Sequence, residues 1–234
     1  MIIKGLQKTT LLDYPGRVAA TVFLGGCNMR CPFCHNMDIV EGGLKEDDFT
    51  AEEVLEFLKR RKSVLEGVCI TGGEPTLSSE LPDFIRNIKA LGYKVKLDTN
   101  GTNPQMVRDL YAEGLIDYVA MDIKSSADEY KKVCGNQGIN FAAIKESIDF
   151  LIKEKPKKLD YEFRTTIVRN YHNKEVMEDI GKLIEGADRY FLQNFVDSEY
   201  VLNHDLLPAT KEMLEEFSEV VSSYVKHVSI RGEM

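Results

Sequence analysis

Two hydrophobic rhythms take turns along this chain. Short apolar runs rich in β-branched and aromatic residues recur at Val18–Leu24 (VAATVFL), Gly67–Thr71 (GVCIT), Tyr93–Leu97 (YKVKL), Tyr118–Ile123 (YVAMDI), Tyr161–Val168 (YEFRTTIV) and Arg189–Phe195 (RYFLQNF). Runs of this length and make-up predict strands. Between them the apolar residues space out at helical intervals. Thr50–Arg61 opens on a capping Thr followed by early glutamates, and SSELPDFIRNIKALG is closed by Gly92. Pro104–Ala112 starts after Asn103, with Pro104 suited to a first turn. Phe141–Lys153, Lys174–Ile184 and Lys211–Val225 complete the helices, and His227–Ile230 is a last short strand candidate.

Six consecutive β–α units with short loops predict a parallel sheet with helices outside it, either doubly wound or a (β/α) barrel. In both, functional residues collect at the C-terminal ends of the strands. Here a cysteine-rich loop, GGEP (72–75), DTNG (98–101), Asp122–Lys124 and Gln193–Phe195 all end or follow strands. That shared position predicts one composite site. No linker, repeat or low-complexity tract divides the chain, so residues 1–234 read as a single domain. Within it, 1–17 is an N-terminal extension, 18–200 the core and 201–234 a C-terminal helix and tail.

Composition narrows the class. The 234 residues are 43% hydrophobic and 29% charged, as in an ordinary soluble domain. A net charge of -8 argues against nucleic acid as a partner. No apolar run approaches the roughly 20 residues of a membrane span. The start, MIIKGLQKTTLLDYPG, lacks the features of a secretory signal, so a cytoplasmic location is expected. The basic run KEKPKK (153–158) reads as a solvated connector.

Cys27, Cys31 and Cys34 stand in GGCNMRCPFCHN, a C-x3-C-x2-C cluster. Structural zinc wants four ligands, whereas a [4Fe–4S] cluster takes one per iron and three cysteines leave one iron open for a ligand. A zinc site completed by His35, or free thiols, are the alternatives. Cys69 reads as a small core residue, and Cys134 has no cysteine neighbour. Glu74 brings a carboxylate that could receive an ammonium group. Asp98 and Asp122 could converge on a ribose, a cation or a lysine, with Lys124 as counter-charge. Arg164 could face the interior and bind a carboxylate there.

The combination of C-x3-C-x2-C after a first strand, with GGEP, DTNG and DIK downstream, resembles the radical S-adenosylmethionine (SAM) superfamily, and within it the glycyl-radical-enzyme activating branch. The resemblance spans roughly residues 1–200. It implies a partial six-stranded (β/α)6 barrel and one [4Fe–4S] cluster held by Cys27, Cys31 and Cys34. SAM would chelate the open iron. Phe33 would lie near its adenine, and Gly72, Gly73 and Glu74 at its amino group. Asp98, Thr99 and Asp122 would hold a monovalent cation beside SAM, with Lys124 also contacting SAM. Electron transfer to SAM would release methionine and a 5′-deoxyadenosyl radical that takes a hydrogen from a glycine Cα, with no acid–base residue required. The implied partners are a large glycyl-radical enzyme, first of all the anaerobic ribonucleotide reductase, and a flavodoxin- or ferredoxin-type electron donor. A formate-lyase-type target, or a small-molecule substrate, is the alternative. One departure stands out: Phe195 occupies the place of a histidine in the formate-lyase activase.

Overall fold

The six predicted strands all form and lie side by side in chain order. The computed structural model describes residues 1–41, 43, 45–154 and 156–232; Lys155 of the basic run and residues 233 and 234 of the expected tail lie outside them. The strands are β1 (Ile3–Thr10), β2 (Ala19–Leu24), β3 (Gly67–Gly72), β4 (Lys94–Thr99), β5 (Tyr118–Asp122), β6 (Asp160–Ile167), β7 (Arg189–Asn194) and β8 (His227–Arg231). They form one sheet in the order β1 to β8. β1 is antiparallel to β2, and every later pair is parallel.

The expected partial barrel is an open, mostly parallel sheet, of eight strands and not six. β8 forms at the last short strand candidate, His227–Ile230, and β1 is the strand the sequence did not show; the two flank the other six. β1 reads IKGLQKTT and is partly exposed along its middle; β8 is nowhere fully buried. Edge strands face solvent on one side, so they carry few of the apolar residues by which a buried strand is recognised. β1 lies within the segment read as an extension and β8 within the one read as a tail.

Helices α1 (Met37–Glu41), α2 (Ala51–Arg60), α3 (Leu81–Ala90), α4 (Pro104–Ala112), α5 (Tyr130–Val133), α6 (Phe141–Asp149), α7 (Lys174–Leu183) and α8 (Lys211–Val221) fill the connections. Five of them, α2, α4, α6, α7 and α8, start at a side-chain cap. Thr50 and Glu53 form a reciprocal capping box on α2, and Asn103, Asn140, Asn173 and Thr210 each accept a backbone N–H of the first turn of their helix. The main core lies between sheet and helices, where Val54, Leu58, Ile85, Ile88, Ile144 and Ile180 pack with Val68, Ile70, Val95, Leu97 and Phe163.

Successive strand residues point to opposite faces, and the other face is built differently. A separate small cluster of Tyr14, Ala19, Tyr118 and Ala120 lies there. Beside it Glu162, fully buried, accepts from Arg231 at 2.6 and 2.8 Å and from Tyr118. Two residues further along β4, β5 and β6 come Asp98, Asp122 and Arg164, and beyond them a cavity opens.

Candidate functional site

The cysteine loop leaves β2 through Gly25 and Gly26 and is held from two sides. From β3, Gly73 N–H donates to Leu24 O and Glu74 N–H to Gly26 O, both at 2.8 Å. A Cβ on Gly73 would stand 1.9 Å from Gly26 O, and one on Gly72, at φ +122°, 2.2 Å from Leu24 O. Only glycine lets these two turns touch. From the opposite side, Arg30 N–H donates to Cys134 O at 2.9 Å, and Asn136 donates to Asn28 O at 2.7 Å. Cys134 thus braces the loop through its backbone.

The N–H groups of Met29 and Asn36 approach Cys27 Sγ and Cys34 Sγ, each at 3.4 Å. Burial pushes the Cys27 thiol up and the Cys31 thiol up to about 12. These thiols hold their protons until a metal displaces them. Among the described residues, no three His, Cys, Asp or Glu side chains are gathered on a point that would hold a single ion. The three thiols instead line one wall of a shared cavity of about 290 Å³. Thiols from one loop, spread over one wall with backbone donors aimed at two sulfurs, fit a cluster that takes one thiolate per iron.

Ten of the eleven residues that the resemblance assigns to the cluster, SAM and the cation line this cavity: Cys27, Cys31, Phe33, Cys34, Gly72, Gly73, Asp98, Thr99, Asp122 and Lys124. Phe33 is buried against Tyr171, with ring centroids 6.2 Å apart. Glu74 is the exception. Its side chain is 2% exposed and accepts from Thr76 N–H and Oγ1, from Thr99 Oγ1 at 2.8 Å and from Asn100 N–H at 2.6 Å. Burial still leaves its carboxyl above the usual range. Instead of lining the cavity, Glu74 ties the GGEP turn to the DTNG turn.

The acidic residues are paired. Arg164 donates from Nη2 to Asp98 at 3.1 Å and from Nε to Asp122. Lys96 adds a second partner to Asp98, and Lys124 one to Asp122 at 3.0 Å. Burial alone would raise both carboxyls. Arg164 and Lys96 outweigh it at Asp98, and Arg164 and Lys124 at Asp122, so both stay below the ordinary carboxylate value. Arg164, open to either orientation in the sequence, points inward.

Residues not singled out individually in the sequence complete the wall. Asn36, Asn100 and Thr166 line the cavity, and Asn100 donates to Asn28 Oδ1 at 2.8 Å. His172 accepts at Nδ1 from Val168 N–H (3.0 Å), which leaves Nε2–H to donate to the carbonyl of Lys124 (3.1 Å). It positions the lysine from 48 residues away, a separation that hides it from any local pattern. His35 lines the cavity, with Phe195 packed against its ring at 5.8 Å, and it is Gln193 from the end of β7 that faces inward. Cys69 is buried as expected, yet its sulfur lies 3.7 Å from Lys96 Nζ, at the edge of the charged row.

The sequence profile of the Radical SAM superfamily matches residues 21–186. A Methanocaldococcus jannaschii protein, provisionally named a glycyl-radical enzyme activating enzyme, is 35% identical over 98% of this chain and 95% of its own length. The pyruvate formate-lyase-activating enzyme of Clostridium pasteurianum is 29% identical over 80% of this chain and 84% of its own. In shape, Streptococcus suis SuiB bound to S-adenosylmethionine superposes with a TM-score of 0.68 over 91% of this chain and 52% of that one, at 14% identity, a likeness of fold.

Proposed function

The chain belongs to the radical SAM superfamily, whose members are enzymes that work with a [4Fe–4S] cluster and SAM, and from that premise we propose that it is an oxidoreductase activating a glycyl-radical enzyme, with an anaerobic ribonucleoside-triphosphate reductase as its target. The observation that carries the activase reading is similarity along nearly the whole length of both chains to a protein named for that activity. An activator of the formate-lyase type is compatible with the second relative and differs only in the enzyme activated.

When bound, the cluster and SAM supply reductive cleavage of the sulfonium and the hydrogen-abstracting radical that follows. The protein's own work is positioning and shielding. Cys27, Cys31 and Cys34 hold the cluster, and the backbone N–H groups of Met29 and Asn36 stabilise charge on two of the sulfurs. Gly72 and Gly73 bring bare backbone to the cavity where the amino group of SAM binds, and Glu74 holds that turn in place. Phe33 supplies an apolar surface for the adenine. Asp98, Thr99, Asp122 and Lys124 form the polar wall on the strand ends.

The test is anaerobic. Reduced, cluster-reconstituted protein is mixed with SAM, with and without an anaerobic ribonucleotide reductase, and 5′-deoxyadenosine and a glycyl radical are read by chromatography and electron paramagnetic resonance. Both products with the reductase are expected. SAM cleavage without a radical on the reductase, but with one on a formate lyase, moves the target; cleavage with neither favours a small-molecule substrate. No cleavage by protein with a full cluster overturns the reading.

A further inference from the structure

At the cavity wall, charges alternate in a row across three neighbouring strands: Lys96, Asp98, Arg164, Asp122 and Lys124, the last four lining the cavity. The β5–β6 register sets Asp122 directly opposite Arg164. Its guanidinium reaches both carboxylates, Nη2 to Asp98 at 3.1 Å and Nε to Asp122, and so fills the gap between them. Each carboxylate also holds a lysine on its far side. Three fixed cations thus serve two anions, and all five groups lie largely out of solvent.

Two aspartates on adjacent strand ends would ordinarily make a cup for a cation, and the family resemblance implies a monovalent one at this place. The residues present do not fit it. An ion entering between Asp98 and Asp122 would have to displace the guanidinium or sit against like charge in a poorly screened interior, where Coulomb repulsion at contact distance is strong. Both carboxylates already have directional, charge-assisted donors, which a bare ion does not provide.

We propose that Arg164 is the resident cation of this site: a tethered counter-ion that holds Asp98 and Asp122 in position beside SAM and makes SAM binding independent of sodium and potassium. This rests on the reading of the cavity as the SAM site and not on which enzyme is activated. Arginine suits the role because its planar fork fixes two acceptors at once and stays charged at every working pH. Arg164 is in these terms a positioning residue.

The test compares cluster-loaded wild-type and Arg164→Ala proteins in choline chloride and in potassium chloride at equal ionic strength, reading SAM affinity calorimetrically and the thermal midpoint. Wild type is expected to behave alike in both salts. Arg164→Ala is expected to lose about tenfold in SAM affinity in choline, to recover most of it in potassium or with added guanidinium, and to gain thermal stability from those ions alone. A loss from mere structural damage would not respond to the choice of cation. A saturable potassium or sodium requirement in wild type would overturn the proposal, and that arm decides the matter even if Arg164→Ala does not fold. A folded, iron-loaded Arg164→Ala indifferent to potassium and guanidinium would overturn it too. Wild type that carries its cluster but binds no SAM in either salt would sink both the proposal and the reading of the cavity beneath it.

Discussion

A carboxylate can stay buried only when donors occupy its oxygens, and Glu74 has four of them, drawn from Thr76, Thr99 and Asn100. Replacing it by Ala strips those donors of their acceptor inside the protein. We expect Glu74→Ala to cost about 3 kcal/mol in urea denaturation. SAM affinity should also fall about tenfold with iron content unchanged, because the turn that Glu74 anchors carries the glycines. Unchanged SAM affinity would make GGEP a turn and nothing more. The five cysteines divide by surroundings. Changing Cys27, Cys31 or Cys34 to Ala should abolish the cluster, measured as iron and sulfide per chain and as visible absorbance. Cys69→Ala and Cys134→Ala should retain it. The two thiols are buried away from the cavity, one beside Lys96 and one facing the carbonyls of Lys131 and Asn136.

Strand ends and the turns that follow them make the site, so their backbone geometry is as demanding as any side chain. Gly73→Ala would drive a Cβ into Gly26 O. Backbone cannot yield there without parting the two turns. The variant should lose cluster loading and SAM binding together, which distinguishes it from Glu74→Ala; normal loading would refute the close approach. The segment after β6 is sensitive to acid through His172. Burial holds its imidazole below the ordinary 6.5 and neutral in the folded protein, while the unfolded chain keeps the ordinary value. As pH falls through 6.5, only the unfolded state gains a proton, so stability present above 6.5 drains away. His172 should account for a loss of up to about 1.4 kcal/mol between pH 7.5 and 5.5. In metal-free protein, urea denaturation across this range should show a shallower dependence for His172→Gln than for wild type; equal slopes would place the titration elsewhere.

Across the molecule, an open sheet must secure edges that a closed barrel does not have. At one edge β8 is fastened by Arg231, which makes two hydrogen bonds to the fully buried Glu162 and stacks over the Phe191 ring at 3.3 Å. Arg231→Met would leave Glu162 with Tyr118 as its remaining side-chain partner. The expected cost is about 3 kcal/mol in chemical denaturation, with SAM affinity unchanged because Glu162 does not line the cavity. A fall in SAM affinity as large as the fall in stability would mean that the edge and the site are coupled. Among the described residues, no helix is long and apolar enough to cross a membrane.

The amino-acid order was sufficient for the β–α alternation, for most helix starts and for the grouping of the three cysteines on one loop, since each rests on residues within one or two turns of each other. Periodicity reports which face is buried, caps act over three or four residues, and three thiols at positions 27, 31 and 34 share a loop in any fold. The parallel order then brings GGEP, DTNG and Asp122 to one end of the sheet, because strands joined by single crossovers end together. Pairing across long separations was decided by the tertiary structure alone. Arg164 meets Asp98 across 66 positions and Asp122 across 42, Glu74 turns away from the cavity toward Asn100, and β1 takes its place as an edge. For Arg164 and Glu74 the outcome depends on which buried charge finds which partner at about 3 Å, and hydrogen-bond satisfaction in a low-dielectric interior selects among contacts that no local pattern encodes.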